Sequence, residues 1–178
     1  MNIFYLDRDV KLAAQYHCDK HVVKMILESA QLLSTAHRVL DGNMKVELSK
    51  NNRKVKRWVL PDTRDQILYS AGHVNHPSAV WVRKNVEHYR WLFDLTYWLI
   101  YEYKYRYDGK YHKCEALLPT LMDGPNNIPI TDWEDPPQAM PDDVKVTNES
   151  VEAYRNYYRV HKRRMANWKI RGAPDWYK

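Results

Sequence analysis

Apolar side chains at Val22, Val23, Ile26, Ala30 and Leu33 follow helical spacing through residues 17–40, and Asp41-Gly42-Asn43 supplies the stop. A long helix with one apolar stripe must lay that stripe on a core, so this segment commits the chain to a helical architecture. A second helix is predicted from near Asp62 to about Gly72. Asn75-His76-Pro77-Ser78 then breaks the pattern, with Ser78 as N-cap of a third helix over 78–104, where Val82, Val86, Tyr89, Phe93, Tyr97 and Ile100 recur at helical spacing. A last helix is expected over 148–168. Strand signals are weak, with residues 2–6 the best candidate. Residues 45–57, with six Lys or Arg against one Glu, read as a connection. Residues 114–143 hold six of the nine prolines, seven acidic residues and no Lys or Arg, which predicts a long irregular loop, an insertion or lid. The fold class is mainly α, with one compact domain over 1–178.

At 44% hydrophobic and 28% charged, the chain suits neither a disordered segment nor a membrane span. The opening MNIFYLDRDVK lacks a signal peptide's basic start and apolar block, so a cytoplasmic, monomeric protein is expected. Cys18 and Cys114 are too few and too far apart for a disulfide framework or a zinc cage. A formal charge of +6 favours an anionic partner. Fourteen Tyr and seven Trp against two Phe favour wet surfaces and base stacking over a dry core. Together these point to nucleic acid.

On a helix over 17–37, His17, His21, Lys24, Glu28, Gln31 and Thr35 fall within a sector roughly 80° wide. A solvated face is ordinarily built from Glu, Lys and Arg pairs, whereas this mixture could also line a cleft in which one carboxylate is tuned by its neighbours. Spacing alone leaves both open. His17 and His21 have the i, i+4 spacing of helical metal ligands, and His73 or His76 could join them, but no third ligand is evident and no metal or organic cofactor is expected. His37, on the apolar side, reads as a buried, hydrogen-bonded histidine.

Asp19-Lys20-His21…Glu28 resembles the phage pyrimidine-dimer DNA glycosylase family, the endonuclease V of T-even phages, whose catalytic Glu follows seven residues after a His on the first long helix. Ala71-Gly72-His73-Val74 is similar to that family's Ala-Gly-His-Val turn. Pro174-Asp175-Trp176-Tyr177-Lys178 is similar to its C-terminal Pro-Thr-Trp-Tyr-Lys, and Lys169 falls seven before Trp176, as a DNA-contacting Lys of the family does.

The resemblance implies a compact helical repair enzyme that binds and kinks duplex DNA at a damaged pyrimidine. The N-terminal α-amine attacks the sugar C1′, the base leaves, and β-elimination from the resulting imine nicks the strand. By that resemblance Glu28 is the catalytic carboxylate and the Met1 amine the nucleophile, with His21 and Lys24 as supporting polar groups. The family's nucleophile is a Thr exposed by removal of the initiator Met. Here residue 2 is Asn, whose size hinders that removal. Leu27 and Gln31 replace basic residues that flank the family's Glu.

DNA contact is expected from Arg163, Arg164, Lys169, Trp176, Tyr177, Lys178 and His73, since phosphates need cations and unstacked bases need flat rings. Lys50, Arg53, Lys54, Lys56 and Arg57 could grip backbone as well. Tyr101, Tyr103, Tyr105 and Tyr107 alternate with charged residues and read as a half-buried aromatic edge. The polar face of 17–40 should meet a cleft between the N-terminus and the C-terminal tail. Two alternatives to excision remain: a non-catalytic or inhibitory DNA-binding protein on this scaffold, and a transferase that modifies a flipped base.

Overall fold

The computed structural model describes residues 1–178. Asp9 opens α1 (Val10–Tyr16) by accepting the Leu12 N–H at 2.8 Å. The helix stops at His17 because Arg106 draws the carbonyls of Gln15 and His17 to its guanidinium, each at 2.8 Å. The long helix therefore begins two residues late, as α2 (Asp19–Asp41), with Val22, Ile26, Ala30 and Leu33 buried. Val23 departs from the expected stripe and is exposed.

Residues 45–57 are not a connection. They belong to an antiparallel hairpin, β1 (Asn43–Leu48) and β2 (Lys54–Val59), paired from Asn43 with Val59 to Leu48 with Lys54. Its β1 is exposed throughout, so no core-facing alternation marks it in the sequence. Residues 2–6, the expected strand, pair with no other strand. They form an extended segment, with Ile3, Phe4, Tyr5 and Leu6 buried against the helices.

The helix predicted over 62–72 shrinks to α3 (Arg64–Ile67), because Arg38 takes the carbonyls of Asp65, Leu68 and Tyr69 that a longer helix would use. The helix predicted over 78–104 is two helices. α4 (Pro77–Lys84) is capped by His76 rather than Ser78, with Pro77 in its first turn. Asn85 then adopts an extended backbone and caps α5 (Val86–Arg106) through its side chain. The short α6 (Leu118–Leu121) interrupts the Pro-rich loop, and α7 (Ser150–His161) ends before the expected 168.

α2 lies across α5, with α1 and α4 packed alongside, and Tyr154 and Tyr158 of α7 close the core. The architecture is mainly α, and no helix is long and apolar enough to cross a membrane. The loop around 126–135 is laced to this body: Asn126 and Asn127 donate to Asp41, Asn85 donates to the carbonyls of Thr131 and Asp132, and Trp81 donates to that of Glu134 at 2.8 Å.

Candidate active site

Glu28 sits midway along α2, where the chain's first residues cross the helix. Its Oε2 accepts the backbone N–H of Asn2 at 3.0 Å, and its Oε1 lies 3.2 Å from Lys24 Nζ. The carboxylate is 14% exposed while Lys24 is 65% exposed, so the lysine supplies local charge rather than much stability. Asn2 is held on every side. Its Oδ1 accepts from Ile3 N–H at 2.8 Å and from the Tyr154 hydroxyl at 2.7 Å, and its Nδ2 donates to Ala139 O at 2.9 Å. The Asn2 side chain thus anchors the N-terminal segment above Glu28.

Met1, Glu28, Gln31, Ser70, Gly72 and His73 surround a cavity of about 290 Å³, near the small end of ligand-site sizes. Thr35 fixes its far wall, accepting the Gly72 N–H at 3.2 Å and donating to Gly72 O at 3.4 Å. His73 enters that wall with φ of 50°, a left-handed conformation uncommon for any residue but glycine. His76 stands close by. Burial first, then the positive N-terminus and His73, hold it below its ordinary value, against the opposing pull of Glu28. Its Nδ1 accepts the Ser78 N–H at 3.2 Å, so the neutral ring carries its proton on Nε2.

The polar stripe read from spacing divides along its length. Glu28 and Gln31 line the cavity, Lys24 pairs with Glu28, and Thr35 braces the wall. His17 and His21 do not reach it. His21 is buried, with its ring 4.2 Å from Phe4 and its Nδ1 2.5 Å from the Tyr158 hydroxyl. Burial pushes His21 down to about 3 and His17 to about 4. His17 donates from Nδ1 to Ala13 O at 2.6 Å. Both rings are buried with their hydrogen bonds directed away from Glu28, so neither supports it, and no three His, Cys, Asp or Glu side chains are grouped to hold an ion. His37, on the opposite side, meets the Tyr89 hydroxyl at 2.9 Å and Arg64 at 3.0 Å.

Compared with known protein families, curated proteins and solved structures, the chain matches none.

The cleft is not where the sequence put it. The N-terminus meets the 70–73 segment, while the C-terminal tail docks at the start of α2, where Asp19 accepts the Lys169 N–H at 3.0 Å and Trp168 donates to Tyr16 O at 3.0 Å. Nine residues, about 14 Å of helix, separate Asp19 from Glu28. Trp176 is packed against Tyr16, Tyr158 and the Arg155 guanidinium, so its ring serves the tail's own packing. Tyr177 leans on Trp168 at 4.6 Å yet also lines an open hollow of about 360 Å³ with Arg159, Arg163 and Lys178. Arg164 and Lys169 are exposed, and Lys169 Nζ lies 4.9 Å over the Tyr107 ring. Of the cations in that hollow, Arg159 pairs with Glu152 and Lys178 with Asp175, while Arg163 is exposed.

Ser70 and His76 are the site residues that motif reading passed over for catalysis. Ser70 carries no local signal, and the proximity of His76 to Glu28 arises only from the fold. A larger groove of about 820 Å³ runs between residues 133–138 and 145–150, but it is open, and Glu134, Lys145 and Ser150 are engaged by Lys84, Asp142 and the Pro136 carbonyl.

Proposed function

We propose that this protein is a DNA N-glycosylase, with an accompanying lyase activity, that acts on a damaged or modified pyrimidine in duplex DNA. The single observation that carries the reading is the contact between Glu28 and the N-terminal backbone beside a small polar cavity. A carboxylate is useful to imine chemistry only where an amine arrives. Here the Glu28 carboxylate grips residue 2 at 3.0 Å, and Met1 lines the same hollow.

The neutral Met1 amine attacks C1′ of the flipped nucleotide, the glycosidic bond breaks, and the base departs with the bonding electron pair and takes up a proton. Glu28 stabilises the positive charge that develops on the sugar and relays protons to and from the amine. The sugar ring opens to an imine at C1′, and loss of a C2′ proton expels the 3′ phosphate. No metal or organic cofactor enters these steps. Extrusion of the base costs stacking energy, which phosphate contacts at Arg163, Arg164, Lys169 and Lys178 help to offset.

The test is a labelled duplex carrying one thymine dimer, incubated with the protein and borohydride beside Glu28→Gln. A covalent protein–DNA adduct that the variant fails to form supports the reading, and peptide mapping assigns the bond to the amine of Met1 or of Asn2. Tight binding with neither adduct nor released base, on this and other modified pyrimidines, overturns excision and leaves a binding protein or a base-modifying transferase.

A further inference from the structure

The β1–β2 hairpin has features that neither the core nor the Glu28 cavity uses. Its register sorts the side chains into two faces. Asn43, Lys45, Glu47, Val55, Arg57 and Val59 share one, and Met44, Val46, Leu48, Lys54, Lys56 and Trp58 share the other. Glu47, Arg57, Trp58 and Val59 bound a cleft of about 210 Å³ between the hairpin and Arg38, Asp65, Ser70 and Ala71. Beyond Trp58, which is half-buried against the body, the second face is left open. Met44, Val46 and Leu48 form an apolar row along β1, 49%, 57% and 65% exposed, rising toward the tip. Beside them on β2 stand Lys54 and Lys56, and the tip adds Lys50 and Arg53, all exposed.

Lysines on an exposed strand suffice to keep its edge from pairing with another chain. They do not explain an unpaired apolar row, which costs solubility unless something covers it. The charge chooses the occupant. Six Lys or Arg against Glu47 over residues 45–57 repel a second copy of the same hairpin and attract a polyanion. The dimensions agree, because a two-stranded ribbon fits the major groove of B-form DNA, and six residues reach about 20 Å.

The position agrees as well. The cleft at the hairpin's root and the Glu28 cavity share Ser70, so the arm rises from the wall of the candidate site. Arg38 rivets that root, donating to Trp58 O at 2.8 Å and to Tyr69 O at 2.6 Å, one residue before Ser70.

We infer that the β1–β2 hairpin is an arm that enters the major groove of duplex DNA, with Lys50, Arg53, Lys54 and Lys56 on phosphates and Met44, Val46 and Leu48 against base edges. The inference rests on the DNA reading proposed above and adds a recognition element to it. Apolar side chains in that groove meet the 5-methyl group of thymine, the one apolar feature a base edge presents there. The arm therefore favours thymine-bearing tracts, and it holds the duplex beside Glu28 while the target nucleotide turns out.

Binding of the full chain to a thymine-rich duplex, and to the same duplex with uracil at each thymine, is measured across salt concentrations. Lys54→Gln/Lys56→Gln and Val46→Ser/Leu48→Ser are compared with the unmodified chain, and with Glu28→Gln in the borohydride assay. All four arm positions are exposed, so the thermal midpoints of the variants should stay unchanged. The lysine variant should lower the slope of log K against log salt by about 2, a roughly tenfold smaller loss of affinity between 50 and 200 mM salt. The apolar variant should keep the slope and erase the preference for thymine over uracil, which is about fourfold for each methyl covered. Unchanged slope and unchanged thymine preference overturn the arm while leaving excision standing. Arm-dependent binding with neither adduct nor released base keeps the arm and overturns excision. A hairpin-dependent self-association with no DNA binding at low salt overturns both.

Discussion

Arg38→Met tests whether one buried guanidinium holds the hairpin root and the cavity wall in place. Arg38 is 6% exposed and donates five hydrogen bonds, to Asp65 Oδ1 and to the carbonyls of Trp58, Asp65, Leu68 and Tyr69, at 2.6–2.9 Å. Methionine keeps the stem's length and apolar packing and removes every donor. The Asp65 side chain is 35% exposed and still accepts the Leu60 N–H at 2.9 Å, so it rehydrates at little cost. Leu68 O is buried and loses its partner outright, and the Trp58 and Tyr69 carbonyls are half-buried. At about 1–3 kcal/mol for a fully buried orphan and less for each of the others, the loss comes to about 3–5 kcal/mol. For a chain of this length that lowers the thermal midpoint by about 6–20 °C. Urea titration measures the free energy, and amide exchange should rise selectively over 57–60 and 68–73. Arg38→Lys should recover less than half, since one ammonium cannot span five acceptors. A loss under about 1 kcal/mol in the methionine variant, or full recovery by lysine, refutes the account of Arg38 as the rivet.

Asn2→Ala removes the acceptor shared by Ile3 N–H and the Tyr154 hydroxyl and the donor to Ala139 O; a loss of about 2 kcal/mol and faster exchange at Ile3 are expected, together with a weaker borohydride adduct. Three buried histidines make acid the weak side of the stability curve. His17 and His37 lie near 4 and His21 near 3, all below the unfolded value of about 6.5, so the unfolded chain binds more protons between those limits. Stability is therefore full above about pH 6.5 and falls as pH drops toward 4, by up to about 1.4 kcal/mol per pH unit for each histidine, and a flat urea midpoint over that window contradicts their burial. Gly42→Ala puts a Cβ 2.5 Å from Arg38 O and 3.2 Å from Val59 O, both backbone atoms, and should lower the melting temperature through a shift at the join of α2 and β1; a midpoint equal to that of the unmodified chain argues against so tight a join.

Much of α2 was legible because a helix writes its geometry into spacing. Glu28, Gln31 and Thr35 share a face whatever the rest of the chain does, and Lys24 reaches Glu28 across one turn. The same spacing could not separate the cavity-lining part of the stripe from the buried part. His21 lies on the same sector as Glu28, yet Phe4 and Tyr158 enclose its ring, whereas Glu28 keeps one side toward a cavity. The helix over 78–104 looked continuous for a related reason. Its apolar period runs through Asn85, and the break depends on the carbonyls of Thr131 and Asp132 arriving to satisfy that side chain. The hairpin was hidden because alternation marks a strand only when one face is buried, and β1 buries neither.

What the sequence determined alone is therefore local: a mainly α chain, the existence of α2 and α5, a Pro-rich loop, and one carboxylate among donors on a helix face. Covalent geometry and periodicity specify such features without reference to any other segment. Tertiary structure decided which residues of that face stay accessible, where α1, α3 and α4 end, and that residues 1–2 and 70–73 close around Glu28. Each of those outcomes turns on side chains such as Arg38, Arg106 and Asn2 satisfying backbone groups far away in the chain. Burial and capping across such distances belong to the assembled core, and no window of neighbouring residues contains them.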